Sequence, residues 1–312
     1  MGRCLKGGIK MSAGLKGIRV AVIGGDDREL YLIPELQKHG AYIVGVGFEK
    51  AAPIPGMQMA SLKEAVSQVD VLVFPMFGTD ERGVIKAKYA DSQIVLNKEI
   101  LQAIPARVPL FIGWARSALK SAADMMGIRI VETANMNETA ILNSIPSAEG
   151  AIQMAMENTN ITIHNSESFV LGLGRCGWTI ARMLYGIGAH VTGVARKGTD
   201  LARATEMGFQ AVHFSDLEDE IGRAEIIFNT VPTLILDRVM LERVARDAAI
   251  IDLASIPGGV DYEYAQMLGI KALLAPGLPG IVAPKTAGKI LAHVYPQLIL
   301  RQLTTVKTSM ET

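Results

Sequence analysis

The chain has 312 residues, 49% of them hydrophobic, with 31 basic and 31 acidic side chains and a formal net charge of zero at pH 7. That length points to two domains with apolar material for two cores, and the charge balance excludes an electrostatically held nucleic-acid partner. The two cysteines, Cys4 and Cys176, exclude a disulfide framework and a cysteine metal cluster, and the five histidines lack zinc-type spacing, so no metal is expected.

Residues 1–17 are read as a disordered leader, with five glycines among Arg3, Lys6, Lys10 and Lys16. They lack the apolar core of a signal peptide, and Lys6 stands where an N-myristoylation signal wants Ser or Thr. No apolar run reaches the roughly 18 residues of a membrane span. A cytoplasmic protein without a membrane partner is expected.

Ordered structure is expected from Ile18. An apolar strand over residues 18–23 meets Gly24-Gly25-Asp26-Asp27, a helix pattern follows through Leu30, Ile33 and Leu36 to Gly40, and a second strand runs over 41–46. This βαβ unit lacks a full glycine fingerprint, and Asp26 and Asp27 would repel a phosphate at its turn. A Rossmann-like unit without nucleotide is the expectation. Further strands are read at 70–74, 93–96, 108–112 and 128–131, alternating with helical stretches, which argues for a parallel sheet. The loop from Pro75 to Asp80 leaves a strand end, where open α/β sheets place ligands. Residues 143–149 form a hinge candidate. Ser147 would cap a helix carrying Ala151, Ile152, Met154 and Ala155, with Glu149 in its first turn.

The second half is organised by the stretch from Ser168 to Arg182. An apolar strand ends in Gly172-Leu173-Gly174-Arg175-Cys176-Gly177, spaced G-x-G-x-x-G, and a helix pattern through Ile180, Met183, Leu184 and Ile187 stops at Gly188. In that strand–turn–helix context the first glycine serves the tight turn, the second the approach of a pyrophosphate, and the third close helix packing. The helix N-terminus adds free N–H groups for the phosphates. Cys176 is read as a small filler. The next strand ends in Ala195-Arg196-Lys197 instead of the acid that would bind an NAD ribose hydroxyl. A guanidinium can hold a 2′-phosphate in a charge-assisted pair, so NADP is the expected cofactor.

Later strands end in Thr230-Val231-Pro232, in Asp252-Leu253-Ala254-Ser255, and in a Gly/Pro-rich loop over 275–283. The first two ends supply the remaining expected cofactor contacts: Thr230, Val231, Pro232, Leu253 and Ala254. Pro284 then opens a long apolar helix, with a kink expected at Pro296. The expected division is an N-terminal Rossmann-like substrate domain over 18–145 with 284–312, and an NADP-binding Rossmann domain over 146–283. The expected fold class is α/β, two doubly wound parallel-sheet domains with a cleft between them and a C-terminal helix returning to the first. The two chain crossings, 143–149 and 279–284, are hinge candidates for closure.

This plan resembles the two-domain D-2-hydroxyacid and alanine dehydrogenases. The phrases Val22-Ile23-Gly24-Gly25-Asp26, Asn143-Ser144-Ile145-Pro146-Ser147-Ala148-Glu149-Gly150, Leu171-Gly172-Leu173-Gly174-Arg175, and the run from Leu273 to Gly288 are similar to something narrower. They resemble the dehydrogenase-like, A-type subunits of dipicolinate synthase, a family of spore-forming bacteria. The resemblance covers residues 17–306, and the leader is its one departure. It implies NADP-dependent oxidation, with dehydration, of 4-hydroxytetrahydrodipicolinate to pyridine-2,6-dicarboxylate during sporulation. The implied partner is the synthase's second, flavoprotein-like subunit. A homo-oligomer is also expected.

A 2,6-dicarboxylate would need donors from two sides. Asn143, Ser144 and Ser147, placed just before a helix N-terminus, and Lys285 and Thr286 at the start of the last helix, are the substrate-site candidates, Lys285 also as a catalytic group. Asp252 and Ser255 are the candidates for proton handling. The alternative roles are caps for Ser147 and Thr286 and a solvated side chain for Lys285. Two other functions remain open. One is a dehydrogenase of another amino or hydroxy acid, which would want a histidine–carboxylate pair that the sequence does not display. The other is a non-catalytic, nucleotide-sensing role.

Overall fold

The computed structural model describes residues 14–308, and the leader expected at 1–13 lies outside the described residues. At 14–17 the leader expectation is corrected. Leu15 is fully buried, and its N–H donates to the His39 carbonyl at 2.6 Å. Burying a leucine side chain contributes about 1.5–3 kcal/mol, which tethers this stretch to the end of the first helix.

Two compact units emerge, one comprising the described residues through Thr139 with those from Lys285 onward, the other Ala140–Pro284. In the first, β1 (Arg19–Ile23), α1 (Asp27–Lys38), β2 (Tyr42–Val46), β3 (Met57–Met59), α2 (Leu62–Ser67) and β4 (Val71–Val73) follow in order. After them come β5 (Val84–Ile85), β6 (Ile94–Val95), α3 (Lys98–Ala103), β7 (Leu110–Ile112), α4 (Ser117–Met126) and β8 (Ile130–Glu132). Six strands form a parallel sheet in the order β3-β2-β1-β4-β7-β8. Helices cover such a sheet on both faces, so its strands are apolar runs without alternation. β4 and β7 are buried throughout.

One expectation needs correction here. The stretch 93–96 contributes only β6, which pairs antiparallel with β5, Val84 opposite Val95, outside the main sheet. Asn97 caps α3 directly behind it, so the run is too short to cross a sheet. β3, Met57-Gln58-Met59, is a strand without a sequence signal, because three residues are too short a run to establish a period.

α5 (Asn137–Asn158) leads into the second unit and runs unbroken for 22 residues with Pro146 inside it. The expected helix start at Ser147 is therefore wrong: Ser147 lies mid-helix, and its hydroxyl donates to the Asn143 carbonyl at 2.9 Å. Ala148, Ala151 and Ile152 continue the helix past the proline, which removes only one backbone donor. The division between the units lies in the first turn of α5, before Pro146 is reached.

The second unit repeats the strand–helix alternation. It contains β9 (Glu167–Leu171), α6 (Arg175–Ile187), β10 (His190–Ala195), α7 (Gly198–Glu206), β11 (Gln210–His213) and α8 (Leu217–Glu220). The remainder is β12 (Ile226–Asn229), α9 (Arg238–Arg243), β13 (Ala249–Asp252), α10 (Tyr262–Met267), β14 (Lys271–Leu274) and α11 (Leu278–Val282). The all-parallel order β11-β10-β9-β12-β13-β14 has the connectivity of the first sheet. It is the doubly wound order in which ligands lie outside the carboxyl ends of the strands, where the order reverses. The loop expected at 275–283 contains α11. α12 (Pro284–Thr308) closes the described chain with Pro296 inside it, and from Lys285 it belongs to the first unit. Among the described residues no helix is long and apolar enough to cross a membrane.

Candidate functional site

The first turn of the second unit is built by close contacts that only glycine permits. Gly172 has φ +90°, and a Cβ there would lie 2.8 Å from both Thr230 Oγ1 and Val231 Cγ2. A Cβ on Gly177 would stand 1.8 Å from the Gly172 carbonyl oxygen, so α6 can pack this close to β9 only without a side chain there. Gly174, the N-cap of α6, faces open space and supplies no side-chain cap. The N-terminal N–H groups and the positive end of the helix dipole are therefore presented to an anion. Thr230 braces the turn, its hydroxyl 3.0 Å from the carbonyls of Leu171 and Gly172. Leu173 is buried beneath the turn and Arg175 is exposed. Burial pushes the Cys176 thiol up to about 11, which suits a packing group and not a thiolate nucleophile.

At the end of β10, Ala195 is buried and Arg196 and Lys197 are exposed. Among the described residues neither basic side chain is in an ion pair, whereas Arg223, Arg238, Arg243 and Arg246 of the same unit are. Lys197 is the N-cap residue of α7 and makes no side-chain cap.

The ends of β12 and β13 are joined by one buried carboxylate. Asp252 is fully buried. Its Oδ1 accepts from Asn229 Nδ2 and the Ala254 N–H, both at 2.9 Å, and its Oδ2 accepts from the Gly259 N–H at 2.7 Å and the Tyr262 hydroxyl at 2.6 Å. Asn229 in turn holds both backbone polar groups of Val231 at 3.0 Å. The Tyr262 phenol is pushed well above its ordinary range, by burial first and by its bond to Asp252 second. With four donors on two oxygens, Asp252 has no acceptor site left for a substrate proton. The expected proton-handling role is corrected to an architectural one, fixing the loops that carry Val231 and residues 253–259. Ser255 is exposed in the second loop, and Leu253 and Ala254 line its start.

The substrate-site candidates scatter. Ser144 is buried, with its hydroxyl 2.6 Å from both the Ile141 carbonyl and Thr179 Oγ1. Ser147 is tied to the Asn143 carbonyl. Both hydroxyls are thus engaged, that of Ser144 within α5 and with α6 and that of Ser147 within α5, and no helix N-terminus gathers them. Asn143 differs, because its buried Oδ1 has no hydrogen-bond partner. Lys285 and Thr286 do open α12, with Lys285 exposed, in the first unit. Among the described residues no group of three or more His, Cys, Asp or Glu side chains is placed to hold a metal.

The corresponding turn of the first unit is filled. Asp26 caps α1 in a capping box with Glu29, and Arg28 returns to both Asp26 oxygens at 2.9 and 2.8 Å. The strip after β5 covers the glycines, Gly25 N–H donating to the Lys86 carbonyl and Lys88 N–H to the Gly25 carbonyl. Sequence reasoning saw the repelling charge of Asp26 and Asp27 but missed Arg28 and Glu29, since apolar periodicity does not mark buried titratable groups.

Known proteins agree with this geometry. Residues 19–134 match the N-terminal domain of the A-type subunit of dipicolinate synthase, and residues 143–255 match the NAD binding domain of D-isomer specific 2-hydroxyacid dehydrogenases. The chain is 41% identical over 287 residues to the A-type dipicolinate synthase subunit of Bacillus subtilis (strain 168), covering 91% of this chain and 97% of that one. The crystal structure of the corresponding subunit from Bacillus halodurans superposes with a TM-score of 0.88 at 39% identity, over 92% of this chain and 99% of that one. An L-alanine dehydrogenase shares the fold alone, with a TM-score of 0.63 at 14% identity over 93% of each chain. A dinucleotide-binding domain of the dehydrogenase type, joined to that particular N-terminal domain, makes the chain a member of the family of A-type dipicolinate synthase subunits, of oxidoreductase type.

Proposed function

We propose that this chain is the NADP-dependent dehydrogenase subunit that converts 4-hydroxytetrahydrodipicolinate, with loss of water, to dipicolinate in the cytoplasm of sporulating cells. The observation that carries the cofactor choice is the unpaired basic couple Arg196 and Lys197 where an NAD site keeps an acid. The dinucleotide, when bound, supplies the hydride acceptor for the oxidation that leaves the ring aromatic.

The chain's own residues do the holding. The open N-terminus of α6, Gly172 to Gly177, takes the pyrophosphate, and Gly174 leaves the room it needs. Arg196 and Lys197 take the ribose 2′-phosphate. Thr230, Val231, Pro232, Leu253 and Ala254 wall the nicotinamide side, held in place by Asp252. Asn143, with its buried unpartnered oxygen, is the acceptor for the substrate hydroxyl. Lys285 and Thr286 remain the candidates for a carboxylate, and Ser255 for the proton that leaves with the hydride. The second, flavoprotein-like subunit completes the assembly, since the relatives are named as one subunit of a synthase.

Following the absorbance of reduced nicotinamide with NADP and the hydroxylated dicarboxylate, for the chain alone and then with the flavoprotein-like partner, tests the proposal. Reduction that depends on the substrate supports it. Tight NADP binding without reduction under either condition would instead favour a nucleotide-sensing role, which the saturation of Asp252 keeps open.

A further inference from the structure

β10 and β11 lie side by side, with Ala195 opposite His213. One residue beyond that pair, His213 Nε2 lies 3.1 Å from the Arg196 carbonyl oxygen. A carbonyl only accepts, so Nε2 carries the hydrogen. The other ring nitrogen, Nδ1, accepts from the Ser215 N–H at 3.2 Å, and the two backbone partners together select one tautomer. The Ser215 hydroxyl lies 2.7 Å from Nδ1 and 2.8 Å from Asp216 Oδ1. His213 is therefore a strut between the chain leaving β10 and the 3-10 turn Phe214–Asp216 after β11. It reaches the carbonyl of Arg196, whose guanidinium forms no ion pair among the described residues.

We propose that His213 is a positioning residue that determines cofactor specificity. It fixes the main chain at Arg196 so that Arg196 and Lys197 are presented together to a ribose 2′-phosphate. The inference rests on the NADP assignment. Arg196 and Lys197 are long and exposed and form no ion pair among the described residues, and each must be ordered when a phosphate binds. Anchoring the backbone beneath them removes part of that ordering cost before the ligand arrives. Because Nε2 is committed to the carbonyl, the ring acts through Arg196 and does not itself bind the ligand.

The test is calorimetric titration of the full chain with 2′,5′-ADP and with 5′-AMP, which differ only by the 2′-phosphate. His213→Phe keeps a ring and removes the donor. His213→Gln keeps an amide donor for the same carbonyl. The wild type should prefer 2′,5′-ADP, and His213→Phe should lose roughly fivefold of that preference, the scale of ordering one long side chain. Its 5′-AMP affinity should be unchanged, and His213→Gln should retain the preference. A phenylalanine variant that keeps the full preference, or loses both ligands equally, overturns the role of His213 while leaving the NADP assignment standing. A wild type that binds both ligands equally overturns the two together.

Discussion

The two units share a strand order and differ at one turn. In the second, the helix after the first strand begins at Gly174 with no side chain over its N–H groups; in the first, the equivalent helix begins at Asp26 with a capping box, an arginine and a covering strip. A doubly wound sheet directs the dipole of its first helix at the crevice in both cases. Whether that field is offered to a ligand is decided by the residues that stop the helix. In the first unit Asp26 and Glu29 meet those N–H groups from within the chain, and Arg28 compensates the buried charge. Same fold, opposite use: function lives in the side chains grafted on it.

The largest expected effect breaks the open turn. Gly177→Val sets a branched side chain where even a Cβ would meet the Gly172 carbonyl at 1.8 Å. A loss of about 3 kcal/mol of stability and of dinucleotide binding is expected, the upper end for overpacking. Thermal melts with and without NADP check it, and a variant that still gains stability from NADP would contradict the assignment of this turn.

The closed turn offers the next test. Burial lifts the Glu29 carboxyl from 4.5 to about 7, so the folded state holds a proton there that the unfolded state releases. For a raised acid the favourable contribution is present below the unfolded value and is lost as pH rises from about 4.5 through 7. Glu29→Gln mimics the protonated form and should make the protein more stable than wild type by roughly 3 kcal/mol at about pH 8, with the difference fading near pH 4. Denaturant melts across that window decide it. A difference independent of pH would mean that Glu29 titrates normally.

Arg196→Asp sharpens the contrast from the ligand side. It should cost NADP roughly 1.5–3 kcal/mol of binding, the scale of one charge-assisted hydrogen bond, while sparing NAD. Calorimetry with both nucleotides is the measurement, and equal wild-type affinities would sink the NADP assignment.

The smallest effect belongs to Tyr262→Phe, which removes one of the four donors on Asp252. About 1.5 kcal/mol of stability should be lost, with no change in affinity for 2′,5′-ADP, which lacks the nicotinamide. Substrate-dependent reduction should fall if the β12 and β13 loops wall the reacting ring. An unchanged rate would detach Asp252 from the site.

Much of this was legible in the order of residues. The G-x-G-x-x-G turn, the basic pair after β10 and the run from Leu273 to Gly288 are local signals, and a local signal survives without knowledge of the rest of the chain. Asp26 and Asp27 were legible as acids at the first turn, whereas the capping box with Glu29 and the pairing with Arg28 were not. The helix boundary at Ser147 was misread because Ser followed by Glu imitates a cap, and the proline before it imitates a break. Packing of Ala148, Ala151, Ile152 and Ala155 in the core of the second unit carries the helix through both. Asp252 was misread for a related reason, since a carboxylate at a strand end looks catalytic until its partners are counted.

The sequence alone determined two α/β units, the strand–helix alternation, the placement of the dinucleotide turn and the family, because these depend on apolar periodicity and on glycines whose conformational freedom is intrinsic. The tertiary structure decided which polar groups are free. Asp252 is consumed by donors from Asn229 and Tyr262, Ser144 by Thr179, and Asp26 by Arg28, whereas among the described residues Arg196 and Lys197 form no ion pair. Except between Asp26 and Arg28, those partners lie ten or more residues apart, and no local pattern records them. Hydrogen bonding is satisfied pairwise across the fold, so the availability of a polar atom is a property of its neighbours in space and not of its position in the chain.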